Sequence, residues 1–144
     1  MNQIQIIYHD QNMPKLEFIK GKSDWIDLRA RTGGAFKAGD FALIDLGVSM
    51  KLPEGYEAHI APRSSTFKNY GIIQTNSVGV VDNSYSGTND IWKMPCYFTR
   101  DITINPYDRI CQFRLMKKME PVEFTEVDEL DSTDRSGFGS TGTR

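Results

Sequence analysis

The chain has 144 residues, a formal net charge of -2, 39% hydrophobic residues and 25% charged residues. That length and composition fit one folded domain rather than a disordered or fibrous chain, and so small a charge excludes capture by nucleic acid or anionic lipid through the overall field. A phosphate ligand would have to be held locally. No run of about 18 apolar residues occurs, and the start MNQIQIIYHDQ lacks the basic-then-apolar layout of a secretion signal, which gives the expectation of a cytoplasmic protein away from membranes.

In chain order, apolar and polar residues alternate at Ile4, Ile6 and Tyr8, at Leu16 and Phe18, at Trp25 and Leu28, from Ile110 to Met116, and at Val122 and Phe124. Such period-two runs predict half-buried strands. Turn signals stand between them at Thr32-Gly33-Gly34, Ala38-Gly39-Asp40, Pro53-Glu54-Gly55, Ser86-Gly87-Thr88-Asn89 and Asn105-Pro106-Tyr107-Asp108. The pattern predicts an all-β domain over residues 1–127, a jelly-roll-like sandwich or a closed barrel, with one short helical turn near Ser65 to Tyr70. Residues 128–144 have little to bury and read as a flexible C-terminal arm. Cys96 and Cys111 lie in apolar runs without zinc-ligand spacing and read as buried free thiols, and the isolated His9 and His59 as packed or surface residues.

Several segments carry chemistry-bearing side chains. Pro62-Arg63-Ser64-Ser65-Thr66 joins a guanidinium fork to hydroxyls that together suit a phosphate, although Ser64 or Ser65 could equally cap a helix. Asn76 to Gly87 reads as a hairpin in which Val80 and Val81 run into Asp82. A carboxylate at the end of a buried strand can accept a proton from water, and Asp82-Asn83-Ser84 can also form an ordinary turn. Tyr85 can face a sugar or pack in a strand. In Asp108-Arg109-Ile110-Cys111-Gln112, an Asp108–Arg109 pair and a strand-end Gln112 have structural readings too. Gly137-Phe138-Gly139-Ser140-Thr141-Gly142 can wrap phosphates through free N–H groups while the ring covers a flat ligand.

In their order, these segments resemble the homotrimeric dUTPase family (deoxyuridine triphosphate nucleotidohydrolases) of bacterial or phage type, from about Asp27 to Gly142. The five motifs of that family look like Asp27-Leu28, Pro62-Arg63-Ser64-Ser65, Gly79-Val80-Val81-Asp82-Asn83-Ser84-Tyr85-Ser86-Gly87, Asp108-Arg109-Ile110-Cys111-Gln112 and Gly137-Phe138-Gly139-Ser140-Thr141-Gly142. The resemblance implies a jelly-roll homotrimer that hydrolyses dUTP to dUMP and pyrophosphate, with Mg2+ held mainly by substrate phosphates and water. It implies that Asp82 activates the water, that Tyr85 stacks on deoxyribose, and that Asn76 with the backbone at Val80 and Val81 reads uracil. Arg63, Ser64, Ser65 and Gln112 would grip phosphates, with Asp27 touching the metal through water. On the arm, Phe138 would close over uracil while Arg135, Ser140 and Thr141 bind phosphates.

Three positions depart from the family pattern. Trp25 and Ile26 replace small residues before Asp27, Ser84 and Ser86 stand where an acid and an arginine are usual, and Arg135 lies three rather than five residues before Phe138. The related dCTP deaminases place a tryptophan at the position of Tyr85 and a catalytic glutamate at that of Trp92. An indole cannot move protons at a base, so Trp92 is expected either near the active-site mouth, in the core or at a subunit interface. A nucleotide-gated module for an unidentified regulatory protein partner is the non-enzymatic alternative.

Overall fold

A computed structural model of the chain describes residues 2–136. Eleven strands and one short helix follow one another: β1 (Gln5–Tyr8), β2 (Ile26–Arg29), β3 (Gly34–Phe36), β4 (Phe41–Asp45), β5 (Val48–Lys51), β6 (Tyr56–Pro62), α1 (Thr66–Tyr70), β7 (Ile72–Gln74), β8 (Gly79–Val81), β9 (Lys93–Phe98), β10 (Ile102–Ile104) and β11 (Arg109–Lys117). All pairings are antiparallel. They make a four-stranded sheet β2-β11-β6-β8, a three-stranded sheet β4-β9-β7, and the pairs β1-β5 and β10-β3. The apolar faces of these sheets meet in one core that includes Leu28, Val48, Ile60, Met94, Phe98 and Phe113.

Alternation predicts β1 and β11 correctly, but two expected strands do not form. Around Leu16 and Phe18 the chain is irregular, because Leu16 docks on the core with its N–H donated to the Tyr8 hydroxyl (2.8 Å) while Phe18 is exposed. Val122 and Phe124 lie in an extended stretch in which every residue from Met116 to Ser136 is exposed. An alternating segment becomes a strand only where a neighbour's backbone groups are free to pair, and within this chain none reaches it.

The predicted helical turn is α1, whose capping differs from expectation. Ser65 occupies the N-cap position but its hydroxyl makes no capping bond. Thr66 does the joining instead: its buried Oγ1 accepts the Arg63 N–H (2.8 Å) and donates to Ile110 C=O (2.9 Å), which ties the end of β6 to β11. The helix stops at Gly71, at φ 63°, where its N–H reaches Phe67 C=O at 2.7 Å. A side chain there would be strained and would meet the Arg100 Cγ at 2.9 Å.

Cys96 and Cys111 are buried and unpaired, as expected, and burial pushes the Cys96 thiol up to about 12. His9 packs against Ser49 (2.8 Å) and His59 against Glu57 (2.6 Å).

Candidate active site

Strand register places Asp27 of β2 opposite Gln112 of β11, and Gln112 opposite Ala61 of β6. Asp27 therefore sits one strand away from the chain that turns out of β6 at Arg63. Its Oδ1 lies 3.0 Å from Arg63 Nε and its Oδ2 3.3 Å from Arg109 Nη1. Gln112 Nε2 donates to Pro62 C=O (3.0 Å), and Arg63 Nη1 to Arg109 C=O (3.4 Å). One carboxylate thus holds two guanidinium groups side by side, which leaves a net positive, fork-shaped end to β6 with Ser64 exposed beside it.

Arg109 is a site residue that reading the sequence misses. Its sequence neighbour Asp108 accepts the Asn105 N–H (2.9 Å), so the expected Asp108–Arg109 pair does not form. Arg29 adds further positive charge: it is opposite Arg109 in the register and donates to Tyr107 C=O (3.0 Å). Burial, and next the Arg109 charge, hold its pKa below the usual arginine value.

The second constellation stands on β8 and the loop after it; the hairpin expected over Asn76 to Gly87 does not form, because β8 pairs with β6 while β7, just before it, pairs with β9 in the other sheet. β8 pairs with β6 through Val81–Ala58, Val80–His59 and Gly79–Ile60, and among the described residues no strand pairs along its other side. Backbone groups on that free side can read a flat ligand in the way a sheet edge reads an added strand. Asn76 lies in the turn before β8, and Gly79 leaves room for it: a Cβ at Gly79 would stand 3.4 Å from Asn76 Nδ2 and 3.2 Å from Ile60 Cβ. Beyond β8, Asp82 C=O accepts the Tyr85 N–H (3.0 Å), and the exposed Tyr85 ring is anchored by its hydroxyl on Ile91 C=O (2.8 Å). The burial expected for Asp82 is not found. Val80 and Asp82 are exposed, because an edge strand of three residues is covered on one side only.

The two constellations do not meet within the chain. Asp82 follows Val81, the partner of Ala58, whereas Arg63 stands just past the end of β6, five residues beyond Ala58 and roughly 16 Å away at the usual rise per strand residue. Asp82 and Tyr85 therefore mark one end of β6, and Arg63, Gln112 and Asp27 the other. Arg135 is exposed, while Phe138, Ser140 and Thr141 lie outside the described residues.

The family model for dUTPase matches residues 23–142. The chain belongs to the dUTPase family. It is 56% identical over 142 residues to the SPbeta prophage-derived deoxyuridine 5'-triphosphate nucleotidohydrolase of Bacillus subtilis, covering 99% of each chain. It is also 39% identical to the deoxyuridine 5'-triphosphate nucleotidohydrolase of Finegoldia magna, covering 97% of this chain and 99% of that one. A Staphylococcus bacteriophage 80alpha dUTPase mutant with dUpNHpp superposes with a TM-score of 0.79 at 18% identity, over 99% of this chain and 100% of that one. A mutant dUTPase from phage phi11 of S. aureus, which coordinates a structural Mg(II) ion, superposes at 0.76 with 16% identity, over 91% and 100%. The fold is accordingly the jelly roll of the dUTPases.

Trp92, where a dCTP deaminase would carry its glutamate, is not at the mouth of a dUTPase site here. It is 1% exposed and meets Phe113 edge-on, ring centroids 5.1 Å apart, so it belongs to the core. Among the described residues no group of three or more His, Cys, Asp or Glu side chains comes together to hold a metal, and no helix is long and apolar enough to cross a membrane.

Proposed function

We propose that this dUTPase hydrolyses dUTP to dUMP and pyrophosphate by water attack at the α-phosphorus, with Asp82 as the base. The observation that carries the reading is the free side of β8, which ends in an exposed carboxylate and is followed three residues later by an anchored tyrosine. Uracil would lie along that side, its edge read by Asn76 and the backbone at Val80 and Val81. A base with the opposite donor and acceptor pattern would leave polar groups unpaired and be rejected. The Tyr85 ring would cover deoxyribose and exclude a 2′-hydroxyl. Asp82 would orient a water and take its proton as the new O–P bond forms, while the bond to the bridging oxygen breaks and pyrophosphate leaves.

The phosphates would be gripped by Arg63, Ser64, Ser65 and Gln112, and covered by the arm through Arg135, Phe138, Ser140 and Thr141. The separation along β6 bears on how these parts combine. A triphosphate attacked at its α-phosphorus beside Asp82 does not reach Arg63 of the same chain, so the complete site takes its arginine end from a second copy. A head-to-tail contact of this kind closes into a ring, which fits a homotrimer. The exposed stretch from Met116 to Ser136 has no face buried on its own chain, which suits the same assembly.

Mg2+ fits as a companion of the substrate rather than as a resident of the protein. Both oxygens of Asp27 already face arginines, so this residue would touch the ion only through water. When bound, Mg2+ neutralises phosphate charge and is held by phosphate oxygens and water.

A turnover panel of dUTP, UTP, dTTP and dCTP with Mg2+ tests the assignment. Pyrophosphate release is expected from dUTP alone at low substrate concentration. Ammonia release from dCTP would favour the deaminase reading, and turnover of UTP would overturn the role of Tyr85.

A further inference from the structure

β8 is three residues long and has one strand partner, yet in the reading above it presents both the base-reading edge and the catalytic carboxylate. So short an edge strand needs other restraints to hold an atom within a fraction of an ångström. Two side-chain amides supply them, one at each end.

Before β8, Gln74 is 4% exposed, and its Nε2 donates to Ile60 C=O (2.9 Å) and to Ser77 C=O (3.3 Å). Ser77 lies in the left-handed region at φ 58°, which a residue with a side chain occupies only under restraint. Alongside the backbone bond from Ser77 N–H to Gln74 C=O at 3.2 Å, the Gln74 amide thus ties the strained turn that contains the exposed Asn76 to β6. The bond has a cost, because Gln74 Oε1 is buried without a hydrogen-bond partner among the described residues. A leucine would fill the same space and remove that unpaired oxygen, but it would take the donor away from the Ile60 and Ser77 carbonyls.

After β8, Asn83 Nδ2 donates to Pro53 C=O (2.9 Å) and Tyr56 C=O (3.0 Å). Those two carbonyls flank a tight turn closed by Tyr56 N–H to Pro53 C=O at 3.2 Å. Asn83 therefore ties the residue next to Asp82 to the start of β6.

We propose that Gln74 and Asn83 are positioning residues with separable tasks: Gln74 sets the base-reading turn and so governs affinity and base selectivity, whereas Asn83 sets the attack position of Asp82 and so governs turnover. The proposal rests on the assignment of Asn76, Val80 and Val81 to the base and of Asp82 to the water.

The test is steady-state kinetics of full-length variants, each with a thermal melt. Gln74→Leu is expected to fold with a somewhat lower Tm and to hold kcat within about twofold, while KM for dUTP rises roughly tenfold and preference over dCTP shrinks. Adding Ser77→Gly to Gln74→Leu, which relieves the left-handed strain, should recover most of the lost KM. A filler residue would not respond to that rescue. Asn83→Ala is expected to lower kcat on the order of 10²-fold with KM nearly unchanged, the signature of a misplaced catalytic group. If Asn83→Ala is poorly folded, Asn83→Leu restores the bulk without the bonds and should show the same kcat loss.

Unchanged kinetics in either folded variant, or equal effects of both on KM and kcat, would overturn the proposal. Asn76→Ala and Asp82→Asn run alongside separate the two levels. If these leave KM and kcat intact, the underlying site assignment fails; if they act as assigned while the Gln74 and Asn83 variants do not, only the clamps fail.

Discussion

The two ends of β6 are built on different principles. At the Arg63 end, Asp27, Arg109 and Gln112 on two neighbouring strands of the larger sheet meet Arg63 just past the end of a third, and the single carboxylate fixes two arginines while leaving the end net positive. At the Asp82 end, a three-residue edge strand leaves its carboxylate and one backbone edge open, and side-chain amides from Gln74 and Asn83 provide the restraint. A phosphate grip tolerates small shifts, because charge attraction falls off slowly with distance. Aligning a water with a phosphorus atom does not, since a displacement of about 1 Å can cost 10²-fold in rate.

The sharpest way to break this contrast is Asp82→Asn. The substitution keeps size and hydrogen bonding but removes the base, so kcat should fall roughly 10²–10⁴-fold while dUMP binding by calorimetry stays near that of the unaltered protein. Near-normal pyrophosphate release would remove Asp82 from the reaction. If binding also collapsed, the β8 end would be a structural element rather than the catalytic one.

The next test asks whether the two ends serve one site across copies. Arg63→Ala and Asp82→Asn should each be nearly inactive alone. Unfolded and refolded together in equal amounts, they should recover roughly a quarter of normal activity, because random assortment pairs an intact Asp82 from one chain with an intact Arg63 from another at that frequency. Recovery at the level of the sum of the two single variants would mean that each chain completes its own site, against the roughly 16 Å separation along β6.

How far the sequence discloses each end follows from the same contrast. β1 and β11 were legible because both have one face on the core, so apolar residues recur at every second position. Leu16-Phe18 and Val122-Phe124 alternate equally well but have no strand beside them, and alternation carries no information about a partner. Motif order singles out Arg63, Asp82 and Gln112, and it is also what the family match rests on. Adjacency in sequence pairs Arg109 with Asp108, but Asp108 lies in the turn before β11, where it accepts the Asn105 N–H, and the partner found, Asp27, is 82 positions away. Asp82 was expected to be buried because three apolar positions precede it, but the number of strands flanking β8 is a property of the sheet, not of those residues. Gln74 and Asn83 gave no signal, since an amide becomes a clamp only when folding brings two carbonyls to it.

The smallest expected effect concerns the Arg63 end alone. Tyr107 accepts Arg29 through its carbonyl and donates its hydroxyl to Asp10 Oδ2 (2.8 Å), joining the N-terminal segment to the loop before β11. That hydrogen bond, followed by one from the Asn12 N–H, holds the Asp10 carboxyl below the usual aspartate value, and the same bond to Asp10 raises the Tyr107 phenol above its own. A depressed carboxylate contributes stability that is present above its unfolded value of about 3.9 and is lost as pH falls through the lower folded value. A raised phenol contributes stability that is present below about 10 and is lost as pH rises through the higher folded value. Tyr107→Phe should therefore lower Tm slightly between about pH 4 and pH 10, with the difference from the parent protein shrinking on either side of that window. Thermal melts at pH 3, 7 and 11 read the window directly. Because Tyr107 touches Arg29 and not β8 or Asp82, kcat at neutral pH should stay within about twofold, as expected for a change remote from the reacting atoms. A flat Tm difference across pH would show that the hydroxyl acts through packing rather than through the Asp10 charge, and a kcat loss matching that of Asp82→Asn would show that the two ends of β6 are mechanically coupled instead of independent.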